Sequence, residues 1–333
     1  MSRTKIGSTR HERRLEALNF SWEHWRAVPS EPVACCVCGG RTTVPFVTAE
    51  FAPGDVVRCT GCGMVFVSPV RYRGLNLSAE QREEAERLRD SSDLRDLDGW
   101  WEMQFLDGER LRQSSDANYR ELLEKLVRHR PGRGRLLDFG AGWGFFVRAA
   151  AADHWDAVGI EPQPGRALYA REALGLDVRS TTLLPGSFAP ESFDAVIALQ
   201  VFEHLDDPAA ELDRIAEVLR PGGVLAIEVP SIASPLVKVL RGRHRHFDPD
   251  HFWFFSPDTL PRFVRSHGFR VRECYSPTRR LTVGWISRAI LSRYLPAKVS
   301  RELVRGVEAT GLSDRVVGVN VREIVMVIAE KQP

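Results

Sequence analysis

Apolar and polar positions alternate in blocks along the C-terminal part of the chain. Short apolar runs, typical of buried strands, are separated by segments with helical periodicity. The predicted strands are residues 135–139, 156–160, 193–199, 224–229, 269–275 and 324–329. Strands that alternate with helices build a parallel sheet covered by helices on both faces. The predicted fold class is therefore α/β, with a Rossmann-like, doubly wound and mostly parallel sheet in residues 132–333.

The segment before this domain has helical periodicity. One helix face carries an apolar stripe of Tyr119, Leu122, Leu123, Leu126 and Val127, and Pro131 follows it. We predict that residues 71–131 form a helical connector that closes over the ligand cleft as a lid. Residues 1–30 combine many charges with a few aromatics, and they are expected to form a loosely ordered arm or a docked helix without chemistry.

Residues 31–70 are distinguished by their cysteines. Cys35 and Cys38 form one Cys-x-x-Cys-Gly turn, and Cys59 and Cys62 form a second. Two such turns present four thiolates to one tetrahedral ion, which predicts a zinc ribbon with a closed, structural Zn²⁺ site. Disulfides are the alternative, although a cytoplasmic chain keeps its thiols reduced. Cys36, within the first turn, is not expected to bind the ion.

A glycine-rich turn follows the first predicted strand of the α/β domain. Asp138 lies in that strand, and Gly140, Gly142 and Gly144 then alternate with other residues. Glycine tolerates positive φ and allows a ligand to approach the backbone closely. Glu161 ends the second strand, where a carboxylate can accept hydrogen bonds from the ribose of an adenosine-containing ligand. The pattern predicts a nucleotide-like ligand at this turn.

These features resemble the class I S-adenosylmethionine-dependent methyltransferases, and the likeness continues in order over residues 135–275. Residues 193–208 are similar to the fourth motif of that family, and residues 219–223 to the turn before its fifth strand. Several ordered elements are more specific than a lone glycine turn, which dinucleotide enzymes share with a different spacing. The resemblance implies that the chain is an enzyme that uses S-adenosylmethionine as a methyl donor.

The resemblance also implies which residues hold the cofactor. The three glycines would cradle its methionine part, and Asp138 would orient the turn and the methionine ammonium group. Glu161 would bind the ribose, Thr182 and Leu183 would lie along the adenine, and Gln200 would lie near the methionine end. Residues 200–203 lack the Asn/Asp-Pro-Pro-aromatic run typical of methylases that act on amino groups of nucleic-acid bases. Amino methylation of DNA is therefore not expected.

A histidine-rich loop at residues 243–256 follows the fifth predicted strand. Imidazole beside carboxylate is a suitable general base near neutral pH, so this loop predicts the acceptor side of the site. The loop and the cysteine region resemble nucleotide-sugar C-methyltransferases, which carry a Tyr-His-Glu-His-x-x-Tyr-Phe-Ser run. By that resemblance His251 is the base and Asp250 is its acidic neighbour. Asp248 stands where that family has its leading tyrosine, so only methyl transfer to a small acceptor is carried over.

Other roles for the histidines stay open. His251 can instead cap the helix that begins near Ser256. His204, which follows Glu203, is a further candidate base, but it can also brace its loop. The remaining two histidines of the loop, His244 and His246, are flanked by arginines and are expected to be exposed.

Composition and charge narrow the possible partners. The charged fraction is 27% and the hydrophobic fraction 43%, and no apolar run is long enough for a membrane span. No secretory signal is visible in residues 1–14, so a cytoplasmic location is expected. The net charge of +2 is unevenly distributed, because residues 76–116 are acidic and residues 238–280 are basic. Such asymmetry indicates an anionic ligand, or two solvated faces that need no partner.

One further segment has a possible surface role. Residues 284–296 are amphipathic, and we expect them to pack as a lid or as the surface of a homodimer. Peripheral membrane contact is an alternative for this segment.

The sequence therefore predicts a methyltransferase that acts on a small anionic metabolite, such as a sugar, a nucleotide sugar or a secondary-metabolite intermediate. One alternative is an RNA base methyltransferase with a zinc module. RNA binding favours a basic module, whereas residues 33–68 carry only Arg41 and Arg58 as basic residues, so nucleic acid is not the expected partner. Another alternative is a non-catalytic protein that binds S-adenosylmethionine, but the intact glycine turn and Glu161 count against it.

Overall fold

The computed structural model describes residues 25–27, 32–49, 52–70, 72–75, 91–92, 116–248, 250–295 and 297–333. Most of the predicted arm of residues 1–30 and of the predicted lid of residues 71–131 lies outside these ranges. Within the described ranges, no helix is long and apolar enough to cross a membrane.

The described residues form the following strands and helices. The strands are β1 (Trp25–Ala27), β2 (Thr43–Val47), β3 (Gly54–Cys59), β4 (Val65–Val70), β5 (Tyr72–Leu75), β6 (Arg135–Phe139), β7 (Asp156–Ile160), β8 (Val178–Arg179), β9 (Phe193–Leu199), β10 (Leu219–Pro230), β11 (Trp253–Phe254), β12 (Phe269–Tyr275), β13 (Arg279–Thr282), β14 (Val316–Val319) and β15 (Ile324–Lys331). The helices are α1 (residues 116–129), α2 (Phe145–Ala152), α3 (Pro164–Glu172), α4 (Pro208–Val218), α5 (Pro235–Leu240), α6 (Thr259–Ser266), α7 (Val283–Tyr294) and α8 (Ala297–Ala309). Short 3₁₀ turns lie at Phe202–His204, Arg241–Arg243 and Arg245–Phe247.

A seven-stranded sheet forms the centre of the α/β domain, with strand order β12-β15-β10-β9-β6-β7-β8. The strands from β10 to β8 are parallel to their neighbours, whereas β15 runs antiparallel to both β10 and β12. The predicted doubly wound, mostly parallel sheet is confirmed. The strand order reverses between β6 and β9, and ligands of such sheets bind at this switch point, beyond the carboxyl ends of the strands.

Neighbouring residues of the central strands are buried on opposite faces of the sheet. In β9, Ala195 and Ile197 join the core cluster that contains the apolar stripe of α1. Val196 and Ala198 join the larger cluster on the other face. Because both faces are covered, these strands are apolar at nearly every position. The amphipathic stripe predicted before Pro131 is thus confirmed as the buried face of α1, with Leu126 fully buried.

The cysteine-rich region forms an antiparallel sheet of order β11-β4-β3-β2. Strands β2, β3 and β4 agree with the short β-like runs expected for a ribbon. The fourth strand, β11, comes from the histidine-rich loop almost two hundred residues later. Phe66 of β4 stacks on Trp253 of β11, with ring centroids 5.5 Å apart. The larger core cluster therefore runs from this small sheet into the α/β domain without interruption.

Two local predictions are wrong. Residues 72–75, assigned to the helical connector, form strand β5, and residues 25–27 of the predicted arm form strand β1. The two strands pair antiparallel, so each provides the backbone hydrogen bonds that the other requires. Neither strand has a long alternating pattern of its own, which is why the pairing was not visible in the sequence. The amphipathic segment 284–296 lies mainly in α7, which packs against α8.

Candidate functional site

The glycine turn lies at the switch point of the sheet, directly after β6. Gly140, Gly142 and Gly144 all have positive φ, at 86°, 52° and 78°. The backbone N–H groups of Gly140 and Ala141 donate to the carbonyl oxygen of Ile160, over 3.0 and 2.9 Å. The turn is therefore tied to the carboxyl end of β7, as expected for a ligand-binding turn of this fold.

Glu161 follows β7 and points its carboxylate at the glycine turn. Gly142 N–H donates to Oε2 and Gln163 N–H donates to Oε1, both over 2.8 Å. The side chain is buried, but a carboxylate has about four acceptor positions. Two backbone donors thus fix its orientation while leaving capacity for the hydroxyl groups of a ribose.

Asp138 lies beneath the turn and is buried. Burial, followed by the nearby negative charge of Glu161, raises the pKa of Asp138 to about 8. A cationic group placed above these two carboxyl groups would favour their charged forms. The arrangement suits a ligand that carries a positive charge close to a ribose.

The other predicted cofactor residues line the same edge of the sheet. Thr182 and Leu183 follow β8, the neighbour of β7, with Thr182 exposed and Leu183 buried. Gln200 follows β9 and adopts a left-handed conformation, with φ of 59°. Its side-chain Nε2 donates to Glu228 Oε1 over 3.1 Å. Together with the turn, these residues surround the crevice at the switch point.

Glu228 and Arg279 belong to this edge but were missed from the sequence. Glu228 lies near the carboxyl end of β10 and is buried, and Arg279 of β13 forms an ion pair with it. The ion pair compensates the buried negative charge of Glu228. The Gln200 side chain donates a hydrogen bond to the same carboxylate. An acidic residue inside an otherwise apolar strand was the signal available, but its partner is 51 residues away in sequence.

The four predicted metal ligands come together. Cys35 Sγ lies 3.4 Å from Cys62 Sγ, and Cys38 Sγ lies 3.5 Å from Cys59 Sγ. All four sulfur atoms lie within 4.8 Å of one another. None of the six cysteines, all of them in the described part of the chain, forms a disulfide. The donor set and spacing fit a tetrahedral four-thiolate ion site.

The two cysteine turns have the same backbone hydrogen bonds. Gly39 N–H donates to Cys35 O over 2.8 Å, and Gly63 N–H donates to Cys59 O over 3.0 Å. Both glycines have positive φ, at 69° and 81°. This repeated geometry folds each turn over its sulfur atoms, as the two Cys-x-x-Cys-Gly motifs predicted.

The histidine loop brings His251 and His204 side by side, with ring centroids 4.7 Å apart. His251 Nδ1 lies 2.9 Å from the carbonyl oxygen of His246, and His204 Nδ1 lies 2.9 Å from that of Asp250. A carbonyl oxygen can only accept, so each Nδ1 carries a proton, and in the neutral ring the lone pair is then on Nε2. Burial lowers the pKa of His251, although the negative charge of Asp250 opposes this effect. Both imidazoles are thus set up to accept a proton or to bind a cation through Nε2.

Helix capping by His251 and loop bracing by His204 were the alternative roles of these two residues. The structure shows the second and not the first. Ser256 Oγ, and not His251, accepts hydrogen bonds from the N–H groups of Asp258 and Thr259 at the start of α6. His204 does brace its loop through the carbonyl of Asp250. Asp250 Oδ2 also lies 3.4 Å from His204 Nδ1, and Asp250 Oδ1 lies 3.9 Å from His251 Nε2.

Glu203 is a buried carboxyl group next to this pair that the sequence did not single out. Its side chain is 1% exposed, and neither carboxyl oxygen has a hydrogen-bond partner among the described residues. Burial raises the pKa of Glu203 well above its usual range; the residue's own backbone N–H opposes this rise, and the charges of Asp250 and Glu228 add to it. Glu203 Oε1 lies 3.9 Å from His204 Nε2.

The prediction that His244 and His246 are exposed is wrong, since each is only 2% exposed. His244 Nε2 lies 2.8 Å from Glu323 Oε1, and His246 Nε2 lies 3.1 Å from the carbonyl oxygen of Glu323. Arg245, between the two histidines, pairs with the same carboxylate over 3.2 Å. The loop is therefore anchored to the segment before β15, and this long-range contact removes from solvent two side chains that a local, arginine-rich sequence placed at the surface.

Comparison with known proteins adds an independent observation. A family model described as a methyltransferase domain matches residues 109–273. The ubiquinone biosynthesis O-methyltransferase of Azorhizobium caulinodans is 33% identical over 172 residues, which cover 44% of this chain and 67% of that protein. The protein of the same name from Nitrobacter winogradskyi is 33% identical over 162 residues, which cover 43% of this chain and 60% of that protein.

Other similar proteins extend this comparison. An uncharacterized methyltransferase of Mycobacterium sp. is 31% identical over 169 residues, which cover 50% of this chain and 63% of that protein. Among solved structures, a SAM dependent methyltransferase from Archaeoglobus fulgidus covers 68% of this chain and 99% of its own, with 18% identity and a TM-score of 0.47. The chain thus spans about three fifths to two thirds of the length of the curated relatives it matches.

Proposed function

Because this chain belongs to the class I S-adenosylmethionine-dependent methyltransferases, we propose that it methylates a small, anionic metabolite at an oxygen atom. The observation that carries this proposal is that one segment contacts both groups of residues: Val201 lies beside the glycine turn at Gly140, and Glu203 O accepts a hydrogen bond from Phe252 N–H of the histidine loop. The glycine turn and Glu161 form the cofactor side, and the histidine loop forms the acceptor side. Gln200 and His204 stand four positions apart on the segment that joins the two sides.

On the cofactor side, the chain offers a cradle that fits the donor. S-adenosylmethionine supplies a methyl group on a positively charged sulfur, together with an ammonium group and a ribose. Glu161 would accept hydrogen bonds from the ribose hydroxyls, and Asp138 would compensate the cationic methionine end. Gly142 would leave room for the ligand against the backbone, Gln200 would lie near the methionine end, and Thr182 and Leu183 would flank the adenine.

On the acceptor side, we assign His251, His204 and Asp250 to activation of the acceptor. In the neutral imidazole, the hydrogen bond donated by Nδ1 leaves the lone pair on Nε2. Such a nitrogen can take the proton of a hydroxyl group or hold a cation that acidifies it, and either action makes the oxygen a better nucleophile. Positioning of the acceptor against the donor methyl supplies the rest of the rate enhancement.

The anionic character of the acceptor is supported by charge on residues 238–243, which follow β10 and lead into the histidine loop. Lys238, Arg241 and Arg243 are exposed there, and they form no ion pair within the described part of the chain. An oxygen acceptor is supported by the names of the two curated relatives, both O-methyltransferases. The cysteine ribbon offers little basic surface for RNA, since Arg41 and Arg58 are the only basic residues of 33–68.

The four-cysteine site is proposed to hold one structural Zn²⁺. Its four sulfur ligands would complete a tetrahedral shell and leave no position for substrate. Gly40 supports this assignment, because a Cβ there would lie 3.3 Å from Cys38 Sγ and 3.5 Å from Cys59 Sγ. The close approach of the backbone to the sulfur atoms favours glycine at this position.

The proposed function is tested by incubating the purified protein with S-adenosylmethionine carrying an isotope-labelled methyl group and a metabolite extract, followed by mass spectrometry. We expect label in one anionic small molecule, with no label when the donor is omitted. A Gly142→Arg variant, which fills the cradle, should show neither labelling nor cofactor binding by calorimetry. Label found only in RNA would overturn the acceptor class. Cofactor binding without transfer to any pool would indicate a non-catalytic protein.

A further inference from the structure

Glu203 presents an energetic problem that the fold alone does not solve. Its carboxyl group is 1% exposed, and neither oxygen has a hydrogen-bond partner among the described residues. Burial of a polar group without a partner is costly, and the few such groups in native proteins mark a bound water or ion, a catalytic role or local strain. The negatively charged Asp250 and Glu228 act on Glu203 without compensating it. A missing positive charge next to Glu203 would remove this cost.

Two imidazole rings lie beside this carboxyl group, since their centroids are 4.7 Å apart and His204 Nε2 lies 3.9 Å from Glu203 Oε1. We propose that Glu203, His204 and His251 form a binding site for a divalent transition-metal ion such as zinc. One ligand atom from each of the three residues can be chosen so that all lie within 4.8 Å of one another. Two imidazoles and one carboxylate are a ligand set that binds zinc at open, reactive sites.

The contacts around the two histidines are those of metal ligands. Both rings donate their Nδ1–H to a backbone carbonyl oxygen at 2.9 Å, that of Asp250 for His204 and that of His246 for His251. Metal-binding histidines almost always donate their other ring N–H in this way, which fixes the tautomer and orients the ring. The site is therefore organised before the ion arrives.

A second cluster in the same loop, formed by His244, Arg245 and Glu323, has its polar groups paired within the protein. His244 accepts a hydrogen bond from His246 N–H at Nδ1 and bonds to Glu323 at Nε2. Glu323 is also paired with Arg245. Both ring nitrogens of His244 and both oxygens of Glu323 are thus engaged within the protein. That cluster has its partners within the protein, whereas neither carboxyl oxygen of Glu203 has a hydrogen-bond partner among the described residues.

The ion would be enclosed on one side and reachable from the other. Glu203 is buried, whereas the side chain of His204 is 36% exposed and that of Asp250 is 47% exposed. Three protein ligands leave at least one further position for a ligand. This position would face the cleft, because His204 lies in the 3₁₀ turn directly after Gln200 and Val201, and Val201 packs against the glycine turn at Gly140.

A role for the ion in catalysis rests on the proposed function, whereas binding of the ion does not. An acceptor hydroxyl oxygen bound to the ion loses its proton more readily, and the proton would pass to Asp250 or to water. The oxygen then forms a bond to the methyl carbon while the carbon–sulfur bond of the donor breaks. The bonding pair stays on sulfur, which becomes a neutral thioether.

The test is metal binding by the full-length protein. Loosely held ions are first removed with a chelator, and the protein is then titrated with Co²⁺ while absorption and metal content are followed. We expect one Co²⁺ per chain with weak visible bands and without the intense sulfur-to-cobalt bands of a thiolate site. Glu203→Gln, His204→Gln and His251→Gln should each weaken binding by about tenfold or more.

His267→Gln is the matched control. The side chains of His267 and His251 are both 14% exposed, but His267 pairs with Asp213 outside the cluster. The control should bind Co²⁺ like the wild type. Equal Co²⁺ affinity in the three ligand variants and in the wild type would overturn the site, and so would bands of thiolate type alone. Zinc should also raise the thermal midpoint of the wild type but not that of the ligand variants.

The same samples separate this inference from the proposed function. Loss of Co²⁺ binding with methyl transfer retained would show that the ion has no part in the reaction. Cofactor affinity measured by calorimetry should be unchanged in the Glu203→Gln variant, because the cradle around Gly142 is intact. Failure of every sample, including the wild type, to bind S-adenosylmethionine would overturn the proposed function while leaving the metal result valid.

Discussion

A methyl group added at Gly140 would lie 2.5 Å from Val201 Cγ2, and one added at Gly144 would lie 2.9 Å from Ala170 Cβ. At Gly142 the added group would meet no atom within 4 Å. The glycines at both ends of the turn are therefore required by packing inside the protein. Gly142 has free space beside it, and this space is where the proposed cofactor would approach the backbone.

We predict that Gly142→Ala weakens binding of S-adenosylmethionine by about tenfold or more, equivalent to ~1.4 kcal/mol. Gly175→Ala is the control, because Gly175 has a similar φ of 65° and equally open surroundings outside the cleft. Each substitution places alanine in the left-handed region, at a cost of about 1–2 kcal/mol in stability. Calorimetry and thermal denaturation measure both effects. Equal cofactor affinity of the two variants would contradict this use of Gly142.

The raised pKa of Asp138 leads to a prediction about protons. With a pKa of about 8 in the free protein, Asp138 is largely protonated at pH 7. A cationic ligand favours the carboxylate, so binding at pH 7 should release a proton from Asp138, and binding at pH 9 should release almost none. Titration calorimetry in buffers of different ionisation enthalpy measures this release. The Asp138→Asn variant cannot release this proton. Identical proton release by the variant and the wild type would show that the proton does not come from Asp138.

At the scale of elements, the cysteine ribbon and the histidine loop form one hydrogen-bonded unit. Val67 N–H of β4 donates to Phe252 O over 2.9 Å, and Phe252 N–H donates to Glu203 O over 2.8 Å. Trp253 Nε1 donates to Leu205 O over 2.7 Å. The ribbon thus holds in place the backbone of the residues next to His251 and His204. A structural ion in the ribbon would set the geometry of the acceptor side.

We therefore expect that loss of zinc from the ribbon slows methyl transfer without weakening cofactor binding. Cys62→Ser removes one proposed ligand, and Cys274→Ser is the control because Cys274 is exposed and lies outside the cluster. Metal content, turnover and cofactor affinity are measured on both variants. Full turnover by a ribbon without zinc would contradict the coupling. Loss of cofactor affinity in Cys62→Ser would instead indicate that the whole domain has been disturbed.

At the scale of the whole molecule, one sheet edge collects the chemistry. The carboxyl ends of β6, β7, β8, β9 and β10 lie side by side because these strands are parallel to their neighbours. Each strand therefore delivers its following loop to the same crevice. The glycine turn, Glu161, Thr182 and Gln200 arrive there from different strands, and the histidine loop reaches it after β10.

Much of this arrangement was predictable from local patterns. The central strands are predicted from apolar runs because they are buried on both faces. The start of α4 is also local, because Asp207 accepts hydrogen bonds from the N–H groups of Ala209 and Ala210. The cysteine cluster was equally local, because each turn is complete within a few residues. These features depend on residues that are close in sequence, so periodicity and spacing are enough to predict them.

The features that the sequence did not reveal depend on partners that are distant along the chain. The sequence by itself determined the α/β class, the glycine turn with Glu161, and the four-cysteine site. Tertiary structure decided that β11 completes the ribbon sheet and that His244 and His246 are buried against Glu323. It also decided that neither carboxyl oxygen of Glu203 has a hydrogen-bond partner among the described residues. Burial and hydrogen-bond satisfaction are properties of the packed chain, since the same carboxyl group is ordinary in solvent and costly in the core. For that reason the glycine turn and the histidine loop could be located from the sequence, whereas the burial of His244, His246 and Glu203 emerged only from the fold.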